Sequence, residues 1–249
     1  MKKTLIPGKV DYCIFDRSFA DSTSNYARYK YNDPATLAGV QKNRSAVASI
    51  YGRQDVVTLK QVHGTQILIA AGSHMTDDEV AADGMITAEK GLVLAIQTAD
   101  CVPLLLAAAD GSVVAALHCG WRSSRAGIIA KAIEKFEQTY AVKASDLQAV
   151  IGPAIMQQSY EVDDAFYLDF LAEKPENAAY FVATDNDDKF LFDLPAYVKG
   201  MLDEQGVNLH THIAEDTYSN AKKYPSRRRS FHKNAQYSGN ILSTIAITQ

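Results

Sequence analysis

Cysteine is scarce in this chain: Cys13, Cys101 and Cys119 are the only three among 249 residues. An odd number so widely spread makes no disulfide framework, and a reduced, cytoplasmic setting is expected. Basic charge is also short, with 25 Lys and Arg against 29 Asp and Glu, a net charge of -4. That balance excludes a surface built to coat nucleic acid or an anionic membrane, so any anion site must be local. Long apolar runs are missing too. The longest, Gly91 to Ala109, is interrupted by Gln97, Thr98 and Asp100, and nothing reads as a membrane span. The N-terminal apolar stretch is broken at Pro7, Gly8 and Lys9, which leaves no signal-peptide core. Histidine occurs only six times and tryptophan once.

What is present is ordinary for a globular chain: 47% hydrophobic and 22% charged residues, without repeats, low-complexity tracts or linkers. One domain over residues 1–249 is expected. Leu37, Val40, Val47 and Ile50 predict a helix over Thr36–Tyr51. Short β-branched or apolar runs then predict strands at Val56–Leu59, Gln66–Ala70, Gly91–Gln97, Val102–Ala108 and Ser112–Leu117, with Asp110-Gly111 as a hairpin turn. Ile128, Ile129, Ala132, Ile133, Phe136 and Tyr140 keep helical spacing, with Ser123 and Ser124 as candidate N-caps. A strand at Leu147–Ile151, helices near Asp163–Glu173 and Pro195–Gln205, and a last strand at Asn240–Ile247 complete the reading. Strands cluster early and mix with helices later, which predicts α+β with mixed or antiparallel sheet rather than a doubly wound fold.

Three segments carry metal-capable side chains at predicted strand ends: Lys60 to Gly64 with His63, Gln97 to Pro103 with Cys101, and Leu117 to Arg122 with His118. Their separations are too long for a local zinc-finger loop, so only a folded scaffold unites them. If they converge, two imidazoles and one thiolate suit Zn²⁺ with a position left open, the arrangement of catalytic zinc. The alternative for each is plain packing. Cys119, beside His118 on an extended segment, points to the opposite face and reads as core, and Cys13 reads the same way.

The Gln61-Val62-His63-Gly64 segment, Ala82 to Thr87, Thr98 to Pro103 and His118 to Arg122 together resemble the YfiH or laccase-domain family. Asn43-Arg44, Ile151 to Ile155 with Tyr160 to Val162, and Ser226 to Arg229 extend the resemblance over nearly the whole chain. Members are described as purine nucleoside phosphorylases and, in older naming, as polyphenol oxidases. The resemblance implies a single-domain layered sandwich of mixed or antiparallel sheets flanked by helices, with His63, Cys101 and His118 as zinc ligands. The chain differs from the family pattern at Cys119 and Ser123, at Ser159, at Glu215-Asp216-Thr217, and at Ser238-Gly239-Asn240.

Six histidines fall short of the roughly ten that a multicopper oxidase needs. His210 and His212 are the one closely spaced pair, sharing a face if extended and reading as solvated. Copper enters only as an adventitious substitute, giving weak polyphenol oxidase activity. The resemblance instead implies phosphorolysis of adenosine, inosine and methylthioadenosine, with adenosine deamination through metal-activated water as a side activity. No His-x-Glu with Pro-Cys-x-x-Cys occurs, so the nucleic-acid deaminase type is excluded. Candidate catalytic residues are Asp83 and Asp100, carboxylates to move protons, and Arg44, a guanidinium for the phosphate. Arg122 and Arg228 are candidate phosphate forks, Trp121 a candidate stacking surface for the purine, and Ser123-Ser124 a helix start whose amides face the same anion. The other charges among Lys222, Lys223, Arg227, Arg228 and Arg229 read as a solvated loop. Two alternatives stay open: a metal-free cysteine hydrolase with Cys101 as nucleophile, His118 or His63 as base and Asp100 or another polar group as orienter, and a non-enzymatic module using zinc for stability.

Overall fold

The computed structural model of the protein describes residues 2–19, 26, 33–72, 80–186, 188–235 and 239–248; Ser238 of the closing motif lies outside them. The chain opens with strands β1 (Lys3–Ile6) and β2 (Val10–Phe15), which the sequence reading did not predict, followed by helix α1 (Pro34–Ser49). Asp33 caps α1, its side chain accepting from the amide of Thr36 at 2.8 Å. Strands β3 (Ile67–Ile69), β4 (Gly84–Thr87), β5 (Val93–Thr98), β6 (Val102–Ala108) and β7 (Val114–Cys119) come next. Val56–Leu59 is extended but makes only an isolated bridge to β5, through Val57 and Leu94. A short helix α2 (Trp121–Arg125), helix α3 (Ile128–Tyr140) and strand β8 (Leu147–Ile151) follow. The second half holds β9 (Glu161–Asp163), α4 (Asp164–Glu173), β10 (Phe181–Ala183), β11 (Lys189–Phe192), α5 (Leu194–Gln205), β12 (Asn208–His212), α6 (Arg227–His232) and β13 (Ile241–Ile247). Among the described residues no helix is long and apolar enough to cross a membrane.

Two large sheets stack face to face. One has the strand order β1-β2-β13-β5 and is antiparallel; the other is mixed, with order β12-β8-β6-β7-β4-β3. Alternation along β6 and β7 explains the stacking. Leu105, Ala107, Val114 and Ala116 pack against Leu94, Ile96 and Ile245 of the four-stranded sheet. Leu104, Leu106, Ala115, Leu117 and Cys119 face the other way, against Ile129, Ile133 and Phe136 of α3 and Val198 and Leu202 of α5. Val47 and Ala48 of α1 cover the outer face of the four-stranded sheet over Cys13, Val93 and Leu242. The layers are therefore helix, sheet, sheet, helix, the α+β layered architecture expected. A small antiparallel sheet, β10-β11-β9, carries an aromatic cluster at one end of the last layer. Because β6 and β7 are covered on both faces, they read as continuous apolar runs rather than as alternating ones.

Two local expectations are corrected. Gly127, in the left-handed region at φ 85°, precedes α3 with no side-chain cap, whereas Ser123 and Ser124 lie buried inside α2. Ser123 Oγ donates to the carbonyls of His118 and Gly120 at 2.9 and 3.1 Å, and the Ser124 amide donates to Gly120 O at 2.9 Å, so that amide is not free for an anion. In β12 the register against β8 slips between Leu209 and Thr211. The extra residue, His210, breaks the two-residue period that would align it with His212.

Candidate functional site

The β6–β7 hairpin brings distant chain segments to its open end. His118, next to last in β7, continues the even-numbered set of Val114 and Ala116 and so lies on the inter-sheet side; Cys119 has the opposite parity and is buried against α3. Cys101 enters β6 just after Asp100, whose backbone sits at φ 93°. His63 arrives from the loop before β3, itself at φ 61°. Non-glycine residues at such angles store strain, which surrounding contacts must offset. The ligand atoms of His63, Cys101 and His118 all lie within 4.8 Å of one another, with Cys101 Sγ 3.9 Å from His63 Nε2.

Asp83 holds this cluster together. It is fully buried, and Oδ1 accepts from His118 Nδ1 at 2.7 Å and from the His63 amide at 2.9 Å. Oδ2 accepts from the amides of Gly64 and Val62 at 2.6 and 3.1 Å. Burial alone would raise this carboxyl, but the His118 hydrogen bond and charge, with the loop amides, outweigh it and hold it below the ordinary range. Asp83 takes up His118 Nδ1, which leaves Nε2 for the cluster, and it is not among the residues that line the cavity. Burial likewise pushes the Cys101 thiol up, and His118 and His63 bring it down to about 6, so a thiolate is available at neutral pH.

Two further residues seat the His63 loop, one against β5 and one against the end of the hairpin, and neither has a periodic signal in the sequence. Gln61 lies beside the end of β5 as a surrogate strand: its Nε2 donates to Gln97 O at 2.7 Å and its Oε1 accepts from Gln97 N at 2.9 Å. Gly120 lets the loop approach, since a Cβ there would stand 2.9 Å from His63 Cδ2 and 3.1 Å from Cys101 Sγ. Donors of this kind suit a metal. Zinc–ligand bonds of about 2.0–2.3 Å put tetrahedral donors roughly 3.5 Å apart, near the 3.9 Å found. The Asp83 bond to the far side of His118 is the outer support that metal-binding imidazoles carry.

A cavity of about 270 Å³ opens over His63 and Cys101, near the lower end of the range for small-molecule sites, roughly 300 Å³. Of the predicted site residues, Asp100, Trp121, Arg122 and Arg228 line it, together with Tyr160, Arg227 and Phe231. Asp100 accepts from Thr217 Oγ1 and from the Arg228 amide, both at 2.7 Å. Arg122 lays its guanidinium over the Trp121 ring at 4.2 Å. Arg44 is not brought here: it is buried in α1, its Nε donating to Tyr26 O at 2.8 Å. The basic stretch is less solvated than expected. Lys223 pairs with Glu215 at 2.6 Å, and Arg229 clasps the carbonyls of Thr217, Tyr218 and Tyr224 at 2.6–2.7 Å. Two positions where the chain departs from the resembled pattern meet in space. Ser159 Oγ donates to Asp216 Oδ2 at 2.6 Å, and Asp216 also accepts from the Met156, Tyr218 and Ser219 amides, fixing the wall that bears Tyr160.

Comparison with known proteins agrees with this geometry. The model of a family described as "Multi-copper polyphenol oxidoreductase laccase" matches residues 12–248. A Rickettsia conorii protein named purine nucleoside phosphorylase is 44% identical over 243 residues, 98% of either chain. One of the same name from Rickettsia prowazekii is 41% identical over 98% of this chain and 99% of that one. Among solved structures, a Neisseria meningitidis protein superposes with a TM-score of 0.83 at 25% identity, covering 100% of this chain and 99% of that one. Bacillus licheniformis YfiH, at 23% identity and 98% coverage of both chains, superposes with a TM-score of 0.84.

Proposed function

The chain belongs to the multi-copper polyphenol oxidoreductase laccase family, and from that premise we propose that it is a purine nucleoside phosphorylase, as its Rickettsia relatives are named, and not a copper oxidase. The observation that carries this reading is one three-donor cluster beneath a small cavity with an arginine fork on its wall. In phosphorolysis a phosphate oxygen bonds to C1′ of the ribose as the bond from C1′ to the purine breaks, and the departing base takes up a proton. Arg122 is suited to hold the phosphate. Among the described residues its guanidinium makes no hydrogen bond or ion pair with the protein and only stacks on Trp121, so its planar donor fork is available. Arg228 adds charge beside it, one Nη being held by Glu161 O at 2.7 Å. Asp100 faces the cavity with its carboxylate held as an acceptor by Thr217 and the Arg228 amide, which suits it to orient a water that gives its proton to the departing base.

His63, Cys101 and His118 would hold zinc, and a bound zinc supplies Lewis acidity and water activated near neutral pH, the chemistry that a side activity of adenosine deamination needs. Adenosine, inosine and methylthioadenosine are the proposed substrates. Incubating the zinc protein with adenosine tests this: adenine and ribose 1-phosphate are expected only when phosphate is added, and inosine with or without it. No product under either condition overturns the reading.

One observation favours a second reading. Asp83, His118 and Cys101 follow each other as orienter, base and nucleophile would in a cysteine hydrolase, with Asp83 rather than Asp100 as the orienter. Metal analysis separates the two. Stoichiometric zinc lost in Cys101→Ala supports the phosphorylase, and metal-free protein with full hydrolytic activity supports the hydrolase.

A further inference from the structure

We propose that Phe231 is the stacking surface for the base of the substrate and thereby a specificity-determining residue, an inference that rests on the nucleoside reading above. Among the described residues, Trp121, Tyr160 and Phe231 are the Trp, Tyr and Phe side chains that line the cavity. Trp121 was the sequence candidate for stacking, but its ring is already engaged. Phe166 packs on it edge-on at 4.9 Å between centroids, and the Arg122 guanidinium lies over it at 4.2 Å. Tyr160 packs against Phe192 at 5.7 Å and carries the Arg228 guanidinium 5.0 Å from its centroid. A base that stacked on either ring would have to displace an arginine and forfeit a cation–π contact.

Among the described residues Phe231 has no such neighbour. The residue is 80% exposed, the highest value among the exposed large hydrophobic residues described, and among the described residues its one ring contact is with the adjacent His232 at 6.1 Å. Leaving a phenyl ring in water forgoes burial free energy, and at the rim of a ligand cavity that unburied face is available to a flat apolar partner. The platform beneath it is fixed. The Arg228 amide is bonded to Asp100, Arg229 clasps three carbonyls, and Ser226 caps α6 through the Arg229 amide. A cavity this small brings any ligand that reaches the ligand cluster against its rim as well. The cavity thus divides its tasks: Arg122 serves the phosphate, Asp100 the reacting bond, and Phe231 the base.

Phe231→Ala, Phe231→Leu and Phe231→Trp test the assignment. Exposure of the ring leaves folding unaffected, which a thermal melt verifies. Phe231→Ala is expected to raise KM for adenosine and inosine about tenfold, the effect of losing one base–aromatic stack, with KM for phosphate and zinc content unchanged. Phe231→Leu, which restores apolar bulk without a π-face, should recover only part, and Phe231→Trp should recover all. Nucleoside KM within twofold of wild type in Phe231→Ala, a matching rise in phosphate KM, or full recovery by Phe231→Leu overturns the assignment. Equilibrium dialysis of adenosine keeps the two readings apart. If wild-type protein binds adenosine without cleaving it, phosphorolysis fails, and weaker binding by Phe231→Ala still supports stacking; undiminished binding by Phe231→Ala refutes stacking.

Discussion

The two ends of the β6–β7 hairpin are built on opposite principles. At the closed end, Ala109-Asp110-Gly111 makes the turn with Gly111 at φ 75°, where glycine carries little strain. Asp110 Oδ1 accepts from the amide and hydroxyl of Ser112 at 2.9 and 2.6 Å, so the turn is shaped by its own neighbours, with Lys9 Nζ donating to Asp110 O and the Ala109 amide to Asp146 O from outside it. At the open end, aspartate and histidine take up positive φ in place of glycine, and a carboxylate with no solvent exposure bonds to residues 19 to 35 positions away. Local chemistry shapes the first end and distant residues only add to it, whereas only the folded state can assemble the second. Strain and buried charge gather where the proposed chemistry is and nowhere else along these two strands.

Substitutions at the two ends break or sharpen that contrast. Asp83→Ala should have the largest effect, because it removes the acceptor of three loop amides and leaves the buried His118 without its partner. A loss of about 3–5 kcal/mol of stability, read by urea denaturation, is expected together with loss of bound metal; a loss below about 1 kcal/mol would erase the distinction. Gly120→Ala comes next. Its new methyl presses on His63 and Cys101, so metal affinity should fall roughly 10–100-fold in competition with a chelator while the fold persists. Gly111→Ala acts at the other end, with its Cβ 2.6 Å from Lys9 Cβ. It should cost about 1–2 kcal/mol and leave metal content and activity untouched, and a change in either would show that the ends are coupled. Gln61→Ala is the mildest: about 1 kcal/mol for the bonds to Gln97, with metal affinity lowered a fewfold and recovered in part by Gln61→Asn.

The sequence disclosed whatever is periodic or local. The β8 strand, the spacing of α3, the α4 and α5 helices and the hairpin turn all lie where the apolar pattern and turn residues put them, because each is set by neighbours within a few positions. Strands of three or four residues, β9 to β11 and β1, were too short to show a period. The capping role given to Ser123 failed because its hydroxyl is spent on His118 and Gly120, a bond that no helical pattern announces. In the site, the three clustered ligands could be picked out as metal-capable groups at strand ends. The support of Asp83 across to His118, the surrogate-strand role of Gln61 and the availability of Phe231 could not, since each depends on which distant residues have already taken up the neighbouring partners.

The position of β13 in the four-stranded sheet has a consequence for how the protein is made. Residues 241–247 supply the strand between β2 and β5, so a growing chain on the ribosome carries β1, β2 and β5 over more than 140 further residues without the piece that joins them. Over that interval β2 and β5 present unpaired edges, and the layer of α1 has no finished sheet to cover. The sheet that α1 covers therefore closes only when β13 arrives, by contacts more than 140 residues apart in the chain, and until then aggregation competes with folding.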